Sequence, residues 1–161
     1  MTSQNSRCAI YGIKTGFGTK EFVNNMEVLK ENIRQQIENG TTTFITSASE
    51  GYELNAAKYI LQLKAENRDV HLIIVRPYEG AYVFWRVKPI LERVIAGADM
   101  VKYVCEQKED YYAELLDEWI VSHCATILCV TCRRSVLYIT SYVLYLYESR
   151  NIPTFRTVYY L

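Results

Sequence analysis

Apolar side chains recur along this chain in two alternating patterns. Short runs of β-branched and aromatic residues, typical of strands, are separated by segments in which apolar residues recur every three or four positions, as on one face of a helix. The strand pattern predicts six strands, at residues 7–11, 42–46, 70–75, 100–105, 125–130 and 154–158. Strict alternation of helices with near-continuous apolar strands is typical of a parallel sheet covered on both faces. We therefore predict one α/β domain, residues 1–161, with a doubly wound, Rossmann-like and mostly parallel sheet of about six strands.

The helical pattern predicts five helices between these strands. The first ends near Gly40, a residue type that often terminates helices, and the second ends near Asn67. The third covers roughly residues 83–95, the fourth carries an apolar stripe that includes Trp119, and the fifth covers about 136–149. Ligands of such folds bind beyond the carboxyl ends of the strands. Function is therefore expected in five loops, at residues 12–19, 47–53, 76–82, 106–111 and 131–135.

Composition and charge exclude several classes of function. Lys plus Arg number 18 and Asp plus Glu number 18, so no basic field favours nucleic acid or a membrane surface, and we expect neither as a partner. The late charge-free stretch, residues 135–147, is shorter than the roughly 20 apolar residues that span a bilayer. The polar N-terminus lacks a signal-like apolar segment, so we expect a cytoplasmic protein.

The cysteines and histidines indicate no metal or redox chemistry. Five cysteines are an odd number, scattered over predicted core segments, which favours reduced thiols over a disulfide framework. Cys129 and Cys132 form a CxxC motif, but no second pair of ligands has the spacing of a zinc site. His71 and His123 have no nucleophile spaced as in a known catalytic motif, so we expect structural roles for both. No cofactor and no metal are expected.

The first loop combines glycines with a cation and a hydroxyl between a strand and a helix. Gly12, Lys14 and Thr15 belong to this segment, where backbone amides and a helix N-terminus commonly hold phosphate. The glycine spacing matches neither a P-loop nor a dinucleotide-binding motif. A site that holds an anion and a plain flexible turn are both compatible with this segment.

The second loop offers hydroxyls and a carboxylate. Ser47, Ser49, Gly51 and Glu53 follow a predicted strand, and a carboxylate at such a place accepts hydrogen bonds from ribose hydroxyls. In the alternative, Ser49 caps the following helix, and Glu50 and Glu53 complement the helix dipole.

Cations are prominent in the third and fifth loops. Arg76 and Tyr78 supply a guanidinium for a phosphate and a ring for a base, although the same segment also fits a tight turn. Arg133, Arg134 and Ser135 open the predicted last helix, where arginines are unfavourable unless an anion neutralises them. These arginines are therefore predicted anion contacts; the alternative is that they point into solvent beside acidic residues.

The predicted last helix carries a stripe of tyrosines. Tyr138, Tyr142 and Tyr145 recur at helical spacing, and tyrosine is enriched at subunit interfaces. We therefore predict a homodimer or a higher homo-oligomer.

Several motifs resemble the YpsA-like branch of the SLOG superfamily. They are Thr-Phe-Ile at residues 43–45, Gly-Tyr-Glu-Leu-Asn-Ala-Ala at 51–57 and Pro-Tyr-Glu-Gly at 77–80. The resemblance implies a Rossmann-like fold that binds nucleotides or nucleotide-derived signals. It also implies which residues line the ligand site, namely Gly12, Ser47, Gly51 and Glu53.

The chain departs from the family pattern at the start of its last helix. The Gly-Gly-Thr phosphate turn is absent, and Tyr138, Ile139 and Thr140 stand at its place, with only Thr140 retained. We therefore predict non-catalytic binding, by sensing or sequestration, of a nucleotide-derived small molecule, for example a signalling nucleotide in cell defence or virus–host conflict. Two alternatives stay open. One is an N-glycosidic hydrolase of nucleoside monophosphates, of the cytokinin-activating type, with Glu53 as acid or base; the other is an interaction scaffold with a vestigial pocket.

Overall fold

A six-stranded parallel sheet organises the part of the chain that the structure describes. The computed structural model describes residues 4–12, 19–66, 68–130 and 157–160. The strands are β1 (Arg7–Gly12), β2 (Thr43–Thr46), β3 (His71–Arg76), β4 (Met100–Tyr103), β5 (Thr126–Val130) and β6 (Thr157–Tyr160). Their spatial order is β4-β3-β2-β1-β5-β6, and every neighbouring pair is parallel. The predicted Rossmann-like α/β class is confirmed.

Four helices in the described residues connect or follow these strands. They are α1 (Lys20–Glu38), α2 (Tyr52–Ala65), α3 (Lys88–Gly97) and α4 (Tyr112–Ser122). The hydroxyl of Thr19 accepts a hydrogen bond from the backbone N–H of Phe22, at 3.1 Å, and so caps the start of α1. The predicted end of α1 is confirmed, because the chain reverses at Gly40 with a φ of +102°. The predicted last helix, residues 136–149, lies outside the described residues.

The third helix begins five residues later than its apolar pattern predicts. Pro89 occupies the first turn of α3, where its missing N–H has no intrahelical partner to lose. A helix starting at residue 83 would place Pro89 where the carbonyl of Trp85 needs a donor. Residues 81–87 are therefore left outside the helix, and several of them line the site described below.

The sheet buries side chains on both faces, as its continuous apolar strands predict. On β1, Cys8 and Ile10 pack in the core formed with α1, α2 and α3, while Ala9 and Tyr11 pack in a second core with α4. Cys8 is buried, and so are Cys105, Cys124 and Cys129. Among the described helices, none is both long and apolar enough to cross a bilayer.

The direction of strand addition reverses at β1. Strands β2, β3 and β4 are added on one side of β1, and β5 lies on its other side. Gly12 and Val130, the last residues of β1 and β5, are paired in the sheet, so the loops after these two strands begin side by side. Such a reversal point is where open α/β sheets bind ligands.

Candidate functional site

A cleft of about 630 Å³ opens at the carboxyl ends of β1, β2 and β3, and α4 forms its opposite wall. Hydroxyl, carboxyl, guanidinium and aromatic groups share this cleft. Six of the predicted site residues line it, namely Gly12, Ser47, Ser49, Glu53, Arg76 and Tyr78. The strand-end position of three separate loops is therefore sufficient to bring these residues together.

Gly12 allows the end of β1 to approach the start of α2 closely. A Cβ atom at this position would lie 2.7 Å from the Cβ of Tyr52, so a side chain larger than hydrogen would collide. Tyr52 is fixed in turn, because its ring stacks on Phe22 with centroids 4.7 Å apart and its hydroxyl accepts from Asn25. The close approach brings the Gly12 N–H to 3.4 Å from Oε2 of Glu53.

Glu53, in the first turn of α2, is the most constrained side chain of the cleft. It is 6% exposed, and its Oε1 accepts from the hydroxyl of Ser47 at 2.7 Å and from that of Thr46 at 3.2 Å. Burial raises the pKa of the Glu53 carboxyl to about 7, although its hydrogen bonds and the Gly12 amide favour the charged form. The negative charge of Asp117 adds to the rise in this pKa. Glu53 therefore titrates near neutral pH.

The loop between β2 and α2 holds its hydroxyls in a fixed chain. Ser47 Oγ lies 2.8 Å from Ser49 Oγ, and the Ala48 N–H donates to Thr46 Oγ1 at 3.2 Å. Ala48 has a φ of +55°, a left-handed conformation that few residues with a Cβ adopt. The loop thus accepts backbone strain where it presents Ser47 and Ser49 to the cleft.

The start of α2 is capped by backbone geometry and by no side chain. Its N-cap is Gly51, with a φ of 104°, and this predicted site residue is buried without lining the cleft. The alternative in which Ser49 caps α2 is wrong, because the N-cap position is occupied by Gly51, two residues after Ser49. The carboxylate of Glu53, in the first helical turn, does lie where the helix dipole favours a negative charge.

Arg76 joins the ends of β2 and β3. Its guanidinium is buried, and Nη1 donates to the backbone carbonyl of Ser47 at 2.9 Å. Burial lowers the pKa of Arg76, while the nearby Glu53 raises it. The following segment forms the tight turn that was one of the two alternatives, with Gly80 at a φ of +80°, and Tyr78 still lines the cleft.

The carboxyl of Asp117 also faces the cleft and was not predicted from the sequence. Asp117 of α4 accepts a hydrogen bond from the Tyr11 hydroxyl at 3.0 Å, across 106 residues of chain. Burial raises the pKa of Asp117 to about 6, and the Tyr11 hydrogen bond opposes this rise. The sequence did hold a signal, because Asp117 stands three residues before the buried Ile120 on the inward side of α4.

Exposed aromatic residues also line the cleft and were not predicted. Tyr82 is the last residue of the predicted loop 76–82, and Phe84 belongs to the segment that the apolar pattern assigned to a helix. Tyr112, the first residue of α4, meets Tyr78 edge to face, with ring centroids 6.3 Å apart and planes at 80°. Lys108 also lines the cleft and contributes a positive charge.

The remaining predicted site residues lie outside the described residues. They are Lys14, Thr15, Arg133, Arg134, Ser135 and Thr140. The tyrosine stripe Tyr138, Tyr142 and Tyr145, on which self-association was predicted, lies there as well.

Comparison with known proteins identifies the family. The model of the YspA SLOG family, YpsA, matches residues 20–136, which is more than two thirds of the chain. The match includes α1 to α4, β2 to β5 and most residues of the cleft. No curated protein matches the chain. The chain therefore belongs to the YspA SLOG family, the YpsA-like branch of the SLOG superfamily that its motifs resemble.

Proposed function

We propose that the protein binds a nucleotide-derived small molecule in the cleft and holds it intact, as a sensor or a store of a signalling nucleotide. Membership of a nucleotide-related, Rossmann-like family supports the ligand class. The position of the cleft, beside the point where strand order reverses, supports the same class. The network that joins Ser49, Ser47 and Glu53 carries the proposal.

This network gives the ligand an acceptor of fixed direction. When Glu53 is ionised, Ser47 donates its only hydroxyl proton to Glu53, so the proton in the contact between the two serines comes from Ser49. The lone pairs of Ser49, which is half-buried, then remain for a donor such as a ribose hydroxyl. A hydroxyl-rich sugar is the ligand part that suits this arrangement.

The same network supports holding over cleavage. Both oxygens of Glu53 are occupied by donors of the chain itself, Oε1 by Thr46 and Ser47 and Oε2 by Gly12. A general acid or base must reach the reacting atom of its substrate within hydrogen-bond distance. Glu53 instead serves to fix the floor of the cleft.

A thermal-shift screen of nucleotides, NAD derivatives and cyclic dinucleotides tests the binding. A ligand at 100 times its Kd adds about 2.7 kcal/mol of stability, which for a chain of this length is roughly 5 to 10 °C in Tm. Ser49→Ala should reduce the shift, while Ser122→Ala, on the distal end of α4, should leave it unchanged. No shift with any compound would favour the scaffold alternative.

Hydrolysis of a nucleoside monophosphate is the second candidate, and one observation favours it. Glu53 and Asp117 face one cleft, and both have pKa values raised towards neutrality, to about 7 and about 6. Carboxyls of this kind supply acid and base catalysis at neutral pH.

Incubation with AMP and IMP, with free base followed by chromatography, separates the two functions. Our proposal predicts intact nucleotide after denaturation of the protein. Base release that disappears in Glu53→Gln would overturn it and establish the hydrolase.

A further inference from the structure

Aromatic side chains collect at one part of the cleft, one strand beyond Glu53. Glu53 is held by the ends of β1 and β2, whereas Tyr78 follows β3, the next strand of the sheet. Neighbouring strands lie about 4.8 Å apart. A nucleobase is bonded directly to its ribose, so the loop that follows β3 is within reach of the base when the ribose lies at Ser49.

The rings in this part of the cleft are partly exposed to solvent. Tyr78 is half-buried, and its edge-to-face contact with Tyr112 joins the two rings at the cleft. Tyr112 is 39% exposed, Phe84 40% and Tyr82 86%. Exposed aromatic groups that gather in a concave site are typical of ligand contacts, because a large apolar face in water is unfavourable.

We propose that Tyr78 and Tyr112 form the base subsite of the ligand: Tyr112, the more exposed of the two rings, stacks on the base, Tyr78 holds the Tyr112 ring edge to face, and Tyr82 and Phe84 lie at the rim. The expected ligands are therefore molecules that carry an intact nucleobase. A sugar phosphate without a base should bind more weakly. This inference rests on the proposed function, since it divides the same cleft into a sugar part and a base part. Stacking on an aromatic side chain strengthens binding by roughly 5- to 150-fold per base.

The experiment compares AMP with ribose 5-phosphate, which lacks the base. Both are titrated into the full chain and its variants, and binding is followed by ligand-detected NMR. The expected result is that AMP binds at least about 5-fold more tightly than ribose 5-phosphate and that its base protons shift upfield, as protons stacked on a ring do. Tyr112→Leu should abolish this shift and weaken AMP binding by at least about 5-fold, while binding of ribose 5-phosphate is unchanged.

Two further variants keep the test independent of folding. Tyr111→Leu is the matched control, because Tyr111 is 55% exposed, precedes Tyr112 and does not line the cleft, so it should bind AMP as the wild type does. Tyr82→Ala removes an 86% exposed ring without affecting the core and should weaken AMP binding by a few fold.

The outcomes distinguish the subsite from the proposed function. Equal binding of AMP and ribose 5-phosphate, unaffected by Tyr112→Leu and Tyr82→Ala, would overturn the base subsite and leave ligand binding intact. Failure of both compounds to bind at millimolar concentration, together with no thermal shift for any compound of the screen, would overturn the subsite and the proposed function.

Discussion

The buried carboxyl of Glu53 predicts a pH-dependent stability that one substitution should remove. Burial raises its pKa from the ordinary value of 4.5 to about 7. Because the pKa is higher in the folded state, the folded protein binds the proton more tightly than the unfolded chain. The stabilisation is fully present below about pH 4.5 and is lost as the pH rises to about 7.

The magnitude follows from these two values. Each pKa unit corresponds to about 1.4 kcal/mol, so the difference between 4.5 and about 7 corresponds to roughly 3 kcal/mol. In Glu53→Gln, the amide oxygen still accepts from Thr46 and Ser47, while the amide nitrogen faces the Gly12 N–H. This contact between two donors costs the same at every pH. The free energy of unfolding of the variant, relative to wild type, should therefore rise by roughly 2 to 3 kcal/mol between pH 5 and pH 8.

Urea unfolding, followed by circular dichroism at pH 5, 6, 7 and 8, measures this difference. Glu50→Gln is the matched control, because Glu50 lies in the same loop, is only half-buried, and loses the same negative charge. A Glu53→Gln curve that runs parallel to wild type over this range would show that Glu53 is ionised in both states, and would refute the reasoning.

Three further predictions concern the packing at Gly12, the carboxyl of Asp117 and self-association. Gly12→Ala should lower the free energy of unfolding by about 1 to 3 kcal/mol, because its Cβ would lie 2.7 Å from that of Tyr52; wild-type stability in urea would contradict the close approach. Tyr11→Phe leaves half-buried Asp117 without its hydroxyl donor and should cost about 1 to 3 kcal/mol, with a larger loss at pH 8 than at pH 5 because Asp117 is ionised there. An equal loss of stability at pH 5 and pH 8 would contradict the ionisation of Asp117 between these pH values. Light scattering should give a mass of at least twice 18.8 kDa, and a concentration-independent 18.8 kDa would reject self-association.

The fold was predictable because the pattern of apolar residues within each short segment indicates its secondary structure. Strands β3 and β5 are apolar on both faces, and α1 carries one buried stripe, so periodicity alone separates a covered parallel sheet from other classes. The start of α3 was wrong because the apolar residues before Pro89 continue the helical pattern, while the missing N–H of Pro89 ends it. At this position the missing backbone donor of Pro89 outweighed the apolar pattern of the side chains.

The site was predictable only in part. Residues at strand ends could be placed from the sequence, whereas contacts that depend on how the helices pack on the sheet could not. Ser47, Glu53 and Arg76 stand directly at strand ends, and parallel strands bring their ends to one edge. The contact of Tyr11 with Asp117 depends on how α4 packs on the sheet, which no local pattern specifies. The raised pKa of Glu53 likewise depends on burial by elements that are distant in sequence.

The most direct test of the central claim is a native mass spectrum of the protein purified without denaturation, combined with analysis of the small molecule released by heat. The account predicts one intact, base-containing nucleotide derivative, retained by the wild type and lost or reduced in Ser49→Ala and Tyr112→Leu. Recovery of a free base with a separate sugar phosphate, or equal retention of the ligand by both variants and the wild type, would contradict it.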